Sequence, residues 1–234
     1  MKIYFAGGPT SSPVFLRSCG VEHKLYSFAN DKSAIAKWGS QGLMLDSGAF
    51  SVFTGKARVD IDDLIKYIQA LNPEVAIQLD VINDDKKTWQ NYIYMKKHLP
   101  NILPVIHFRA SEEHIKQVIK SSDYILLGGL VPLTRRKKVL FSWLDHLYGT
   151  YKLQHRKIHL LGITTKPVLE RYPAYSVDST SWLSANRYPS QDNLERIKQK
   201  SKDYKQLERK AIKRTLELQK YITNLWTSRG ITWN

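Results

Sequence analysis

One cysteine, Cys19, is all that this 234-residue chain carries. It can close no intrachain disulfide, and no zinc site built on several thiolates is open to it. A reducing compartment fits that usage. Long apolar runs are missing as well. None approaches the roughly 20 residues a helix needs to cross a bilayer, so no membrane partner is expected. The opening stretch, Met1 to Pro9, has too short an apolar run for a signal peptide and reads as a first strand and turn. No G-x-G-x-x-G follows that strand, which leaves a dinucleotide fold without its fingerprint. There is no repeat of roughly 20–50 residues and no low-complexity segment. Acidic residues are scarce: 21 Asp and Glu stand against 36 Lys and Arg, for a net charge of +15. Such a surplus favours a polyanionic partner, nucleic acid before others, although a soluble lysine-rich protein carries the same signature.

What is present supports a sizeable core, since 42% of the residues are hydrophobic. We read eight strands: Ile3–Ala6, Lys24–Ala29, Leu43–Leu45, Val75–Leu79, Ile102–His107, Tyr124–Leu127, Ile158–Leu161 and Tyr175–Val177. Several are near-continuous apolar runs, as strands covered on both faces are. Between them lie helical patterns. Asp60 opens one in which Ile61, Leu64, Ile65, Ile68 and Leu71 recur at helical spacing. Asp84 opens another, which Pro100 stops, and Ser111 caps a third. Thr134–Tyr148 and Pro167–Tyr172 supply two more. This alternation predicts a (β/α)8 TIM-like barrel over residues 1–190, with an open doubly wound sheet as the alternative. Residues 191–234 predict a C-terminal helical extension. Gln191–Trp226 lacks Pro and Gly, and its Leu194, Ile197, Tyr204, Leu207, Ala211, Leu218, Ile222 and Leu225 share roughly one face. Its basic face is either a solvated surface or a nucleic-acid grip.

Three strands stop on a carboxylate: Asp46, Asp80 and Asp178. Each alone could merely cap the next helix or turn. Three at strand ends suggest one site, because parallel α/β folds gather their reacting groups there. Strands three and eight lie well apart around a barrel, so Asp46 and Asp178 could face each other across its mouth. Two carboxylates across a substrate suit nucleophilic displacement at a sugar carbon. Gly128 and Gly129 follow the sixth strand; they either let a flat ligand approach the backbone or make a tight turn. Phe50 could stack on a base, or belong to the core. His107 ends strand five as a ligand contact or a structural histidine, while His155 and His159 are expected at the periphery. Arg135, Arg136, Lys137 and Lys138 begin beside the mouth and suit phosphate contacts, since four cations at a helix start oppose its dipole. Lys166, Asn186 and Arg187 are weaker candidates in later rim loops.

These motifs resemble those of the tRNA-guanine transglycosylases. Leu45-Asp46-Ser47-Gly48-Ala49-Phe50 is similar to the family's Asp-Ser-Gly-Gly-Phe/Tyr segment. Leu79-Asp80-Val81 is similar to its second aspartate strand, and Leu127-Gly128-Gly129-Leu130 to its Gly-Gly-Leu. His159-Leu160-Leu161-Gly162-Ile163 looks like its Leu-Met-Gly-Val strand. Val177-Asp178-Ser179 stands in the place of the nucleophile segment. The order and spacing agree over about Met1 to Pro189. The resemblance implies that Asp178 attacks C1′, that Asp46 is the general acid/base, and that Asp80, Gly128 and Gly129 hold the guanine-like edge beneath Phe50. His107 falls near the family's base-contacting glutamine, a departure from the pattern. The family's zinc module is missing, and the chain is much shorter than the tRNA enzymes. It is most like the compact, phage-type DNA-guanine transglycosylases.

The resemblance therefore implies a DNA-guanine transglycosylase. It would exchange guanine in DNA for a 7-deazaguanine derivative (preQ0-like) through a covalent aspartyl-glycosyl intermediate, with no metal and no other cofactor. Its partners would be DNA, tRNA less so, and the free 7-deazaguanine base. Arg135, Arg136, Lys137, Lys138 and Arg187 would take phosphates. Its location would be the cytoplasm, the host's for a phage-encoded chain. The alternatives are a tRNA-guanine transglycosylase, a base-removing N-glycosidase, and a barrel that only binds nucleic acid.

Overall fold

Short strands whose side chains take alternate sides build the central sheet. A computed structural model describes residues 1–8, 11–183 and 201–233. The strands are β1 (Lys2–Ala6), β2 (Lys24–Ser27), β3 (Leu43–Asp46), β4 (Val75–Ile77), β5 (Ile102–Leu103), β6 (Val105–His107), β7 (Tyr124–Gly128), β8 (Lys157–Leu160) and β9 (Ser176–Ser179). All pair in parallel, in the order β5-β4-β3-β2-β1-β9-β8-β7-β6. The two ends of that order are joined covalently, because β5 and β6 are halves of one run parted by Pro104. Proline has no N–H to give a ladder. Its carbonyl still accepts from Leu126 N at 3.0 Å, while Leu103 O accepts from Gln78 N at 3.1 Å. The interrupted run thus bonds to β4 on one side and β7 on the other. Nine strands make the eight staves of a (β/α)8 barrel, and an open doubly wound sheet is ruled out.

The helices are α1 (Pro13–Ser18), α2 (Lys32–Trp38), α3 (Ala49–Phe53), α4 (Ile61–Leu71), α5 (Asp85–His98), α6 (Glu112–Ser121), α7 (Lys137–Tyr151), α8 (Lys166–Arg171) and α9 (Ser201–Ser228). The first three are too short for a periodic pattern to reveal them. The anticipated caps are in place. Asp60 accepts from the backbone N–H of Asp62 and Asp63, Asp84 from Lys87 and Ser111 from His114. Each such cap is worth about 1 kcal/mol. The segment expected to be helical from Thr134 instead begins as a 3-10 turn, Val131–Arg135, and becomes α-helical at Lys137. The last strand runs on to Ser179, so Asp178 lies within it.

Alternation decides which residues fill the barrel. Tyr4, Met44, Ile77, Leu103, Val105 and Leu126 form an inner cluster, with Leu25, Val75, Tyr124 and Leu161 packed against it. Their sequence neighbours Ile3, Phe5, Leu43, Leu45, Ala76, Ile106, Ile125 and Leu127 belong to the larger core between sheet and helices. Helix α9 contributes to that outer core through Ile212, Ile222 and Trp226. It also holds β1: Gln219 Oε1 accepts from Ile3 N at 2.8 Å and Thr223 Oγ1 from the N-terminal amine at 3.0 Å. Trp226 Nε1 donates to Leu169 O in α8 at 2.8 Å. Leu207, expected on the packed face, is exposed, and the buried row instead runs Glu208, Ile212, Ile222, Trp226. Among the described residues no helix is long and apolar enough to cross a membrane.

Lys24 lies fully buried between layers. Its ammonium donates to Phe5 O at 2.7 Å and to Gly7 O, and stands 5.0 Å from the Trp182 ring centroid. Burial pushes it down to about 7, against the pull of Asp31 and Glu208.

Two buried phenols differ in one respect. The Tyr4 hydroxyl has no hydrogen-bond partner among the described residues, whereas Tyr148 OH donates to Pro173 O at 2.8 Å. An unpaired buried hydroxyl is a cost and a paired one a gain. Thermal denaturation should therefore separate them. Tyr4→Phe is expected to raise Tm by about 2–4 °C, and Tyr148→Phe to lower it by at least as much.

Candidate active site at the barrel mouth

The two-residue period that fills the barrel also builds its mouth. Asp46 lies two residues beyond inward Met44, His107 two beyond Val105, and Gly128 two beyond Leu126. Asp178 lies two beyond the buried Ser176. All four therefore point to the barrel axis at the carboxyl ends of their strands. Asp80 arrives differently, on the loop that leaves β4. Around the ring, β2 and β1 separate β3 from β9.

The three carboxylates have different surroundings. Asp46 Oδ2 accepts from Gly48 N at 3.0 Å, a local turn bond. The group keeps partial exposure at the floor of the mouth. Even so, burial there and then the charge of Asp80 raise it, opposed by the Gly48 N–H. Asp178 and Asp31 push in the same direction, and the carboxyl rests at about 7. That Asp80 and Asp178 both act on Asp46 places the three carboxylates in one electrostatic neighbourhood. Asp80 is 8% exposed; its Oδ1 accepts from Ser47 Oγ at 3.3 Å and its Oδ2 lies 2.7 Å from His107 Nε2. Asp178 is 7% exposed, and its Oδ1 accepts from Gly162 N at 2.8 Å and lies 3.1 Å from His159 Nε2. Neither Asp80 nor Asp178 caps a helix; their oxygens serve side chains and backbone from other strands.

His159 is not peripheral. It is fully buried, and its Nδ1 lies 2.7 Å from Ser176 Oγ. Its outward neighbours Ile158 and Leu160 were the available signal: a histidine between them must point into the barrel. Gly162 N–H and Asp31 left no such trace in the sequence. Gly128 proves to be a spacing residue, since a Cβ there would stand 2.9 Å from His107 Cδ2. Gly129 is exposed, with φ +72°. Gly48 has φ +90°, and a Cβ would come within 2.4 Å of the Ala29 Cβ. The turn after Asp46 therefore requires glycine.

The rim is apolar and basic. Phe50 does not join the core: it is 67% exposed on α3, beside Phe53 at 56%. Arg135, Arg136, Lys137 and Lys138 are all exposed in the segment after β7. Lys166 turns to Glu170, at 3.6 Å, and to the Tyr221 ring. Asn186 and Arg187 lie outside the described residues. His155 stays at the other end of the barrel, in a recess of about 580 Å³ with Glu74, Asp123 and Arg156. Ion pairs already satisfy charges there, Lys2 with Glu74 at 2.7 Å and Arg156 with Asp123 at 3.3 Å. At the mouth, Asp46 has no side-chain partner among the described residues and accepts from Gly48 N alone. Among the described residues, no three His, Cys, Asp or Glu side chains converge as metal ligands would.

No protein-family model matches the chain, and no curated protein does either. Among solved structures, a tryptophan synthase from M. tuberculosis, in an open form with BRD0059 bound, is similar at a TM-score of 0.41 and 9% identity. The match covers 79% of this chain and 86% of that one. The barrel assignment rests on this chain's own strand pairing.

The raised Asp46 carboxyl makes stability depend on pH. Unfolded, it releases its proton near 3.8; folded, near 7. Between those values the folded state binds the extra proton, so stability falls as pH rises from about 4 to about 7 and then levels. Asp46→Asn keeps an oxygen for Gly48 and removes the charge. Calorimetry should find the variant matching the parent near pH 4 and melting higher at pH 8, by about 2–4 °C per kcal/mol of relieved burial cost and repulsion.

Proposed function

We propose that this chain exchanges a guanine base in DNA for a 7-deazaguanine derivative, working by two displacements at C1′. One observation carries the reading. Of two inward carboxylates at one mouth, Asp46 is pushed to about 7, while Asp178 Oδ1 accepts from Gly162 N at 2.8 Å and lies 3.1 Å from His159 Nε2. Environments that differ in this way divide two carboxylates into an acid/base and a nucleophile.

In the first displacement an Asp178 oxygen bonds to C1′ as the C1′–N9 bond breaks. The electron pair goes to N9, and the proton of Asp46 follows it. In the second, the Asp46 carboxylate takes the N9 proton of the incoming base. N9 then bonds to C1′, and Asp178 leaves as carboxylate. Two inversions retain the configuration. Electrons balance without an oxidant or reductant. Asp80 accepts from the N–H edge of a guanine-like base, with His107 holding it in place. Exposed Phe50 offers a stacking face. Phosphates fall to Arg135, Arg136, Lys137 and Lys138, which help to offset the few kcal/mol of base extrusion. The motif resemblance given above supports the same chemistry. Its coarser content, a (β/α)8 barrel, agrees with the strand pairing.

Purified protein incubated with DNA and labelled guanine or 7-deazaguanine should incorporate label, with an optimum near pH 7 because Asp46 acts first as acid and then as base. Asp178→Ala is expected to reduce exchange by at least about a thousandfold, and Asp46→Asn by about 10²–10⁴-fold with the optimum flattened. Abasic product without incorporation would make the chain an N-glycosidase. Preference for tRNA in competition would move the substrate, and binding with no adduct would end the proposal. Arg136→Ala should lower the slope of log affinity against log salt by about 1.

A further inference from the structure

A line of four side chains runs down the barrel interior from the mouth: Asp178, His159, Ser176 and Tyr124. His159 Nε2 lies 3.1 Å from Asp178 Oδ1, His159 Nδ1 lies 2.7 Å from Ser176 Oγ, and Ser176 Oγ lies 2.6 Å from Tyr124 OH. His159 and Ser176 have no exposure at all. Nothing in the two displacements above uses the last three. We infer that His159 is the positioning residue for Asp178, with its ring proton fixed on Nε2 by Ser176 and Tyr124. The inference rests on the reading that Asp178 is the attacking group.

Hydrogen accounting gives the direction. A carboxylate only accepts, so the nitrogen facing Asp178 must carry a proton. If the ring holds one proton, Nδ1 is bare and must accept from the Ser176 hydroxyl. Ser176, having given its hydrogen away, accepts from the Tyr124 phenol. Burial pushes that phenol's proton loss well above the usual range, so it remains a donor. Every member is then satisfied in one sense, Tyr124 to Ser176 to His159 to Asp178. The reverse sense would set a bare Nε2 against a carboxylate oxygen, two acceptors 3.1 Å apart.

The chemical consequence concerns the Asp178 carboxylate as it attacks and as it leaves. Both donors, His159 and Gly162, fall on Oδ1, so attack on C1′ belongs to Oδ2. When the second displacement breaks the ester, negative charge returns to Asp178 and the His159 N–H is already aimed at it. Donation of this kind favours the departing carboxylate, so its loss slows the second displacement more than the first.

The test has two arms on the full-length protein. In ¹⁵N NMR of the labelled protein at pH 7, the His159 ring should carry one proton, on Nε2, with Nδ1 bare. Ser176→Ala should blur that pattern into a mixture of tautomers. A proton on Nδ1, or on both nitrogens, overturns the proposal whether or not exchange occurs. In the kinetic arm, His159→Leu should lower turnover about 10- to 100-fold. The KM for DNA should fall together with kcat, because kcat/KM for DNA reports the first displacement alone, and denaturing gels should show protein–DNA adduct accumulating. His159→Gln, whose amide N–H reaches about as far as Nε2, should recover most of the loss. Equal defects in the Leu and Gln variants, or a loss of DNA affinity alone, would make His159 a packing residue. Exchange absent from the wild type would overturn the proposed function, and the NMR arm would still decide the ring's bond to Asp178.

Discussion

Burial of three carboxylates in one small volume, with the repulsion among them added, governs the mouth of this barrel. Asp46, Asp80 and Asp178 belong to chain segments far apart in sequence, and a closed ring of strands gives them no way to separate. Each must be neutralised, solvated or supplied with donors. Asp80 takes a serine hydroxyl and an imidazole, and Asp178 takes a backbone N–H and an imidazole. Among the described residues Asp46 has only the Gly48 N–H of its own turn, and its burial, then the charge of Asp80, makes it hold its proton to about 7. The division of labour proposed for the site follows from this unequal supply of donors.

Those donors are set by the same period that packs the barrel. His107 and His159 stand at inward positions on β6 and β8, one beside Asp80 and the other beside Asp178. Below them the inner cluster turns apolar, with Tyr4, Met44, Ile77 and Leu126. Water is thereby kept from the underside of the carboxylates, which strengthens each remaining hydrogen bond. Glycine appears where side chains would collide: Gly128 yields its space to the His107 ring, and Gly48 to Ala29.

The outer layer serves the mouth at longer range. Helix α9 ties down β1 and places Glu208 against Ser11, at 2.7 Å, in the segment that follows β1. Trp182, just after β9, donates to Ala6 O at 2.9 Å and covers the buried Lys24 ammonium. These contacts join the last part of the chain to the first across the seam between β1 and β9, the seam beside Asp178. The exposed basic segment after β7 and the exposed phenylalanines of α3 then face solvent around the opening.

Much of this was legible in the residues themselves. Near-continuous apolar runs alternating with capped helices specify a parallel α/β barrel, because strand and helix periods are local properties of the chain. Asp46, Asp80 and Asp178 could be picked out as strand-end carboxylates for the same reason. Other features are not local. Phe50 reads in sequence either as a stacking face or as a core residue, and it is exposed, because the helix carrying it is only one short turn on the rim. His159 reads as peripheral and is buried, because its position depends on the strands beside it. Whether Asp46 keeps its proton depends on its burial at the closed mouth, and then on charges that Asp80 and Asp178 bring from segments 34 and 132 residues away along the chain. The sequence determined the staves, their caps and which residue types stand at their ends. Only closure of the ring through Pro104 decided which of those ends share a volume, since Coulomb forces and hydrogen bonds act across distance in space and take no account of separation along the chain.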